Sequence, residues 1–360
     1  MGKRVFLITG IAGFVGHHFL EHILKNTDDV VVGIDSLTYS GSLERLRDIE
    51  IDPFHHPRFK YLSYDFRQPV GANFAQELQD VTHILHIGAE SHVDHSISDP
   101  MRFVMANVVG TTNMLELAKM LPNLELFVYF STDEVFGPAP LPADIPAGDD
   151  WNGYREDDTH NPKNPYAATK SAGEQMVTSF ANTYGIPCII TRQMNIFGER
   201  QHPEKFIPKV INAVLNNTVV PIHATPDKKQ AGMRHYIHAR NVAHAHLFLL
   251  DKKPWIGAPP RSVPSYHIVG EVEIDNLSLA HIIADTVIRV GEEKGLKTHP
   301  LRYDMVDFHS ARPGHDLRYA LNGGKMRELG WSPPKNFHDS MVKTIEWSLN
   351  SPRWLKNSAL

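Results

Sequence analysis

Thr9-Gly10-Ile11-Ala12-Gly13-Phe14-Val15-Gly16 is the stretch on which the reading of the fold turns. It follows an apolar run, Val5–Thr9, and opens a helical pattern, Phe14–Lys25. Glycines are needed where a chain turns tightly and where backbone must approach a diphosphate closely. A strand ending in such a turn and leading into a helix leaves the first N–H groups of that helix exposed. Together with the helix dipole they hold phosphate. The next strand-like run, Val30–Asp35, ends in an acid nineteen residues after Gly16. A carboxylate there accepts hydrogen bonds from the adenosine ribose hydroxyls and repels a 2′-phosphate. Gly10, Gly13, Phe14, Val15, Gly16 and Asp35 are therefore expected to bind a dinucleotide, NAD in preference to NADP.

Outward from this turn the pattern alternates. Strands are expected at Val5–Thr9, Val30–Asp35, Phe59–Tyr64, Val81–Ile87, Leu126–Ser131 and Cys188–Gln193, and helices at Phe14–Lys25, Pro100–Met120 and Tyr166–Tyr184. Strands alternating with helices imply an α/β fold with a doubly wound parallel sheet, whose strand C-termini form the ligand edge. A proline-broken, polar stretch from Pro138 to Asn164 reads as loop. Beyond about residue 200 helical runs at Phe206–Asn216, Asn241–Asp251 and Leu277–Gly291 and an extended run at Val219–His223 are separated by proline-rich breaks. The division expected is a dinucleotide-binding domain over 1–200 and a smaller α/β lobe, mainly for substrate, over 201–360, with a segment near 234–251 returning to the large domain.

The 360 residues carry a net charge of -5, which argues against general nucleic-acid binding. The single cysteine, Cys188, lies in an apolar run and reads as a buried thiol, with no disulfide framework possible within the chain. No run approaches the ~18 apolar residues of a membrane span, and the N-terminus lacks a signal-peptide core, so a cytoplasmic enzyme is expected. The 22 histidines contain no His-Glu-x-x-His, and His244 and His246, two apart, point to different faces of a helix. No metal is expected.

Tyr166-Ala167-Ala168-Thr169-Lys170 sets a phenol and an ammonium on one face of a helix. A tyrosine with a pKa of about 10 is a poor base at neutral pH, and a nearby ammonium lowers that value. Such a pair can take a proton from an alcohol as hydride leaves its carbon. The fifth strand ends in Ser131-Thr132-Asp133-Glu134, at the edge where catalytic groups sit in such sheets. Adjacent acids in different environments can hold opposite protonation states. One then removes a C–H proton next to a ketone and the other protonates a departing hydroxyl.

The spacing Gly10-x-x-Gly13-x-x-Gly16 resembles the fingerprint of the extended short-chain dehydrogenase/reductases, a Rossmann-like family. The resemblance is closest to the nucleotide-sugar 4,6-dehydratases, of the dTDP-glucose 4,6-dehydratase group. It is carried by Asp35 through Tyr39, Ala89-Glu90-Ser91-His92-Val93-Asp94, the Ser131–Glu134 strand end, Tyr166 with Lys170, and Asn195-Ile196-Phe197-Gly198. Pro203-Glu204-Lys205, Arg234-His235-Tyr236 and Arg312-Pro313-Gly314-His315-Asp316 extend it. It implies that Tyr166, aided by Lys170, takes the C4 hydroxyl proton, that Thr132 bonds the C4 oxygen, that Glu134 takes the C5 proton and that Asp133 protonates the C6 hydroxyl. It also implies NAD contacts at Leu37, Thr38, Asp65, Phe66 and Ala89, and at Tyr166 and Lys170. Nucleotide-sugar contacts are implied at Ser91, His92, Asn195, Glu204, Lys205, Arg234, His267, Arg312 and His315. The chain departs from the family at Tyr266-His267-Ile268-Val269-Gly270, at Gln193-Met194, and in longer loops at Thr225–Met233 and Pro138–Arg155.

Two other readings share these motifs. One is C4 epimerisation, or dehydration to a 5,6-ene without reduction at C6, on the same scaffold. The other is a non-catalytic NAD-binding subunit, which would have no need of Tyr166, Lys170 and both acids. Apolar residues on more than one face of the two long helices (Phe103, Val104, Val108, Met114, Leu115 and Leu117; Met176, Val177 and Phe180) exceed what one sheet covers. With the family's two-fold four-helix bundle, they imply a homodimer.

Overall fold

The computed structural model describes residues 2–259, 262–308, 314 and 316–356. Strands β1 (Val5–Thr9), β2 (Val30–Asp35), β3 (Phe59–Ser63), β4 (His83–His86), β5 (Leu126–Thr132) and β6 (Cys188–Gln193) alternate with helices. These are α1 (Phe14–Asn26), α2 (Glu44–Asp48), α3 (Ala72–Glu77), α4 (Val93–Ser98), α5 (Pro100–Val104), α6 (Gly110–Met120) and α7 (Pro165–Tyr184). The main sheet is parallel throughout, in the order β3-β2-β1-β4-β5-β6-β10, where β10 is Ser265–Ile268. The order reverses between β1 and β4, which opens a crevice beyond the strand C-termini.

Period-two alternation builds the core. Phe6 and Ile8 of β1 enter one apolar layer and Leu7 the other. With both faces covered, β5 is buried at all seven positions, and Cys188 is a buried free thiol. Helix α7 begins and ends on local chemistry. The Asn164 side chain accepts from the Ala167 N–H at 2.8 Å, Pro165 occupies the first turn, and Gly185 closes the helix at φ 73°.

Three features differ from the sequence pattern. The run Pro100–Met120 is helical throughout but passes through a π-helical turn at Met105–Val109. That turn carries Asn107 inward, where it bonds both backbone groups of Glu90, at 3.0 and 2.9 Å, and the Thr169 hydroxyl at 3.0 Å. Second, β10 has only four residues, too few for a periodic signal, yet it extends the sheet beside β6. Third, Phe103, Met114, Leu115, Leu117 and Val177 are fully buried within the protomer. The apolar surface left over lies instead at Met101 and Met105, 62% and 40% exposed, with Ile97, Met120 and Tyr184.

The smaller lobe has its own core. Helices α8 (Phe206–Asn216), α10 (Asn276–Glu293) and the C-terminal helix Phe337–Asn350 contribute Val210, Val214, Ile283, Val287, Met341 and Ile345 to it. Strands β8 (Val219–Ala224) and β12 (Arg302–Asp307) pair in parallel. Strands β7 (Asn195–Phe197), β9 (Met233–His238) and β11 (Glu273–Asp275) form a small sheet of their own. Helix α9 (Ala239–Lys252) returns to pack on α1 and gives Val242, Leu249 and Leu250 to the large core. So do Met326 and Trp331, and β10 joins the main sheet, so the chain crosses between lobes several times after residue 200. No helix among the described residues is long and apolar enough to cross a membrane.

Candidate active site

A cavity of about 390 Å³ lies along the strand C-termini, with walls from both lobes. On one side it is lined by Gly10, Gly13, Phe14, Val15, Gly16, Asp35, Thr38, Asp65, Phe66 and Ala89. Helix α1 starts at Gly13 with no side-chain cap, so its first N–H groups are left for a ligand. Gly10 has φ 69°, and a Cβ on Gly16 would lie 2.1 Å from the Gly10 carbonyl oxygen. Asp35 Oδ2 accepts from the Ala12 N–H at 3.0 Å and Oδ1 from the Leu37 N–H at 2.8 Å. Burial pushes its carboxyl up, against those two N–H groups. The turn, the uncapped helix and the acid together fit a dinucleotide. Leu37, at φ 51°, is half exposed and holds Asp35 through its backbone rather than lining the cavity. Arg67, unforeseen in the sequence, lines the cavity and grips Asp65 with bonds of 2.7–3.0 Å.

At the centre of the cavity, the end of β5 and the start of α7 bring five polar groups together. Thr132, Asp133, Glu134, Tyr166 and Lys170 all line it. The Thr132 hydroxyl donates to Asp133 Oδ1 at 2.9 Å. Asp133 is 5% exposed, and its Oδ2 makes no hydrogen bond among the described residues. Burial, then the charge of Glu134, pushes the Asp133 carboxyl up to about 7. Glu134 Oε2 instead accepts from Asn164 Nδ2 at 3.0 Å and from the Tyr319 hydroxyl at 3.2 Å, an acceptor role that suits a carboxylate. The two adjacent acids thus stand in different surroundings.

The phenol differs from expectation. Burial raises the Tyr166 phenol far above its ordinary value, and Glu134 and Asp133 act in the same direction. The Lys170 ammonium donates to the Phe130 carbonyl at 2.5 Å and lies 4.2 Å from the centre of the Tyr129 ring. Burial lowers it to about 7, opposed by Glu174. In the protein alone, desolvation therefore outweighs any lowering of the phenol by the lysine.

The second-lobe side of the cavity is lined by Asn195, Lys205, Phe206 and Tyr236, and Ser91 and His92 face it from the large lobe. Three expected substrate contacts lie elsewhere. Glu204 sits behind the wall, with Oε1 3.5 Å from both His92 Nε2 and His202 Nδ1. Arg234 lies outside the lining, where it donates to the carbonyls of Met233, Asp316 and Leu317 and stacks on Tyr319. His267 is fully buried in β10, with Nε2 3.2 Å from Arg192, because that strand belongs to the main sheet and not to a loop. Arg312 and His315 lie outside the described residues. Among the described residues, no group of three or more His, Cys, Asp or Glu could hold a metal ion.

A family model described as GDP-mannose 4,6 dehydratase matches residues 7–344. The dTDP-glucose 4,6-dehydratase of Salmonella typhimurium is 35% identical, over 98% of this chain and 94% of its own length. The chain belongs to the nucleotide-sugar 4,6-dehydratases, within the extended short-chain dehydrogenase/reductases. The crystal structure of DesIV, a dTDP-glucose 4,6-dehydratase from Streptomyces venezuelae with NAD and TYD bound, is 32% identical and superposes with a TM-score of 0.79, covering 98% of this chain and 99% of that one. A UDP-glucuronic acid 4-epimerase from Bacillus cereus, 20% identical with a TM-score of 0.79 over 96% of this chain and 99% of its own, shares the fold.

In this dehydratase the raised Asp133 carboxyl has a consequence for stability. Its ordinary value is 3.8, so between about pH 4 and pH 7 the folded chain binds a proton that the unfolded chain has released. The stability that this proton contributes is present at low pH and lost as pH rises through the window. Asp133→Asn carries no such loss. At about pH 8 it should be more stable than wild type by on the order of a few kcal/mol, with the difference shrinking toward pH 4. Melting curves across that range would show it, and a pH-independent difference would contradict the assignment.

Proposed function

We propose that this enzyme converts a nucleoside-diphosphate hexose to its 4-keto-6-deoxy form, using a tightly held NAD, with dTDP-glucose as the first substrate to test. The observation that carries this reading is the unequal acid pair. Asp133, its carboxyl pushed up to about 7, and Glu134, hydrogen-bonded to Asn164 and Tyr319, sit side by side, in one cavity with a Tyr/Lys oxidation pair. An epimerase would need only the second pair.

Bound NAD would supply the hydride acceptor for C4 and, once reduced, the hydride donor for C6. Asp35 and the Gly10–Gly16 turn would hold its adenosine half, with Asp35 disfavouring a 2′-phosphate. Tyr166 takes the C4 hydroxyl proton once the cationic nicotinamide of bound NAD and the Lys170 ammonium offset the desolvation that raises the phenol in the protein alone, and Thr132 bonds the oxygen as it becomes a carbonyl. That carbonyl acidifies the C5 hydrogen. Glu134 removes it, and Asp133, whose carboxyl is raised toward neutral pH, gives its proton to the C6 hydroxyl, which leaves as water. Lys205 and Asn195 line the side of the cavity left for the nucleotide sugar.

The enzyme is proposed to be a homodimer that pairs the surface of α4 to α7. Ile97, Met101, Met105, Met120 and Tyr184 all expose apolar area on these elements or at their ends. A two-fold contact would cover them twice over. Light scattering at micromolar concentration should give twice the chain mass of 40.6 kDa, and a stable monomer would refute the pairing.

The reaction itself is tested by separating its steps. Purified protein incubated with dTDP-glucose, UDP-glucose, UDP-N-acetylglucosamine, CDP-glucose or GDP-mannose should release water from one of them, scored by mass. Tyr166→Phe should abolish both reduced-cofactor absorbance and water loss. Asp133→Asn and Glu134→Gln should still oxidise C4 but stall there, with turnover reduced on the order of 10²–10⁴-fold. Near-normal dehydration by both acid variants would return the enzyme to an epimerase-like oxidoreductase.

A further inference from the structure

Behind the cavity, and using none of its lining, lies a buried ion pair that joins β6 to α7 and sits beside the Asp133–Phe136 turn. Arg192 on β6 is 4% exposed and Glu174 on α7 is 2% exposed. The guanidinium grips the carboxylate with both forks, Nε to Oε1 at 2.9 Å and Nη2 to Oε2 at 2.6 Å. Glu174 lies one helical turn beyond Lys170 and is the charge that opposes the effect of burial on that lysine. The guanidinium carbon lies 4.9 Å from the centre of the Phe136 ring. Phe136 ends the 3₁₀ turn that begins with Asp133 and Glu134. The remaining donors of Arg192 face the Glu156 carbonyl at 3.1 Å, His267 Nε2 at 3.2 Å and His160 Nε2 at 3.2 Å. Those last contacts tie in β10 and the long loop, which itself bonds back to the acid turn through the Asn161 N–H and the Val135 carbonyl, at 2.9 Å.

We propose that Arg192, fixed against Glu174, is the positioning residue that holds the oxidation pair on α7 and the acid pair on the Asp133–Phe136 turn in one geometry. The inference rests on the dehydratase reading, because only that reaction needs both pairs to act in turn on neighbouring carbons of one sugar. Stability alone does not account for the pair. A buried ion pair replaced by apolar side chains is often as stable as before, since desolvating two charges cancels much of their attraction. A planar guanidinium supplies five donors and a stacking face in a fixed arrangement, and no apolar side chain does. A displacement of about 1 Å between reacting groups can cost on the order of 10²-fold in rate.

Glu174→Met with Arg192→Met removes both charges of the pair; because it also takes from Lys170 the charge that opposes its burial, the decisive readings are hydrogen exchange in this variant and single-turnover kinetics in Arg192→Lys, which keeps Glu174. NAD affinity, read by calorimetry, should stay within about three-fold of wild type, because the Gly10–Gly16 turn and Asp35 lie on other strands. Hydrogen exchange at the Gly137 and Asn161 amides, which bond within and onto the acid turn, should quicken at least about ten-fold while β1 and β2 keep their protection. With dTDP-glucose, kcat should fall on the order of 10–100-fold with KM within about three-fold. Arg192→Lys keeps a charge against Glu174 but loses the fork and the stack. In a single turnover it should oxidise C4 at the wild-type rate and then lose water slowly, so that reduced-cofactor absorbance persists. It carries the same test if the double variant does not fold. Unchanged exchange at the two amides, or turnover within about two-fold of wild type in a variant that has lost that protection, overturns the proposal. Failure of the wild-type protein to release water from dTDP-glucose would instead count against the dehydratase reading on that substrate, and the exchange measurement would still decide the positioning role.

Discussion

Burial of three ionisable groups within one cavity, with a fourth beside them, is the constraint on which the rest of the structure depends. Asp133, Tyr166 and Lys170 are each nine-tenths or more buried, and Glu134 lies beside them. Out of water the charged forms are penalised, so a carboxyl is held protonated near neutral pH and an ammonium gives up its proton more readily. The scaffold then has to restore charge selectively. It does so with placed hydrogen bonds: Asn164 and Tyr319 on Glu134, Thr132 on Asp133.

The parallel sheet makes this placement possible. Every strand of it ends on the same edge, so the dinucleotide turn after β1, the ribose acid on β2 and the acid pair after β5 share one crevice without any long connection. Helix α7 enters the crevice from the other side, with Asn164 as its cap and Tyr166 and Lys170 in its first two turns. Asn164 does two jobs: its carbonyl oxygen starts the helix and its amide nitrogen holds Glu134. The start of the helix that carries Tyr166 and Lys170 and the orientation of Glu134 are therefore one structural fact. The long loop from Pro138 to Asn164 has a place in the same scheme. Tyr154 stacks on Phe136 and joins the small apolar cluster of Val135, Phe136, Met194, Tyr319 and Leu321 beneath the acid turn. The loop thus braces the acid turn from outside the crevice.

How much of this was legible in the sequence follows from the range of the interactions. The glycine turn, Asp35, the Tyr166/Lys170 spacing and the Thr-Asp-Glu strand end are local patterns whose chemistry is written within a few residues, and the structure gathers all of them along one cavity. Asn164 also had a signal, since Asn-Pro at a helix start marks a cap. Tyr319 had none, because it reaches Glu134 across 185 residues. His267 was expected at the substrate from its place in a family motif, whereas β10 carries it into the main sheet beside β6. Arg234 misled in another way. An arginine in a conspicuous motif suggests an anion, whereas this one directs three of its donors to backbone carbonyls and lies outside the cavity lining. The fall in the tyrosine pKa expected from a neighbouring lysine depended on desolvation that no spacing reveals.

The central claim is that one bound cofactor takes hydride from C4 and returns it to C6 of the same sugar, with Glu134 and Asp133 removing water in between. The most direct test is turnover of dTDP-glucose carrying deuterium at C4, followed by NMR of the product. The account predicts a 4-keto-6-deoxy sugar with the deuterium in its C6 methyl group and a solvent-derived hydrogen at C5. Deuterium found at C4 of an epimerised sugar, or lost to solvent with C6 still hydroxylated, would contradict it.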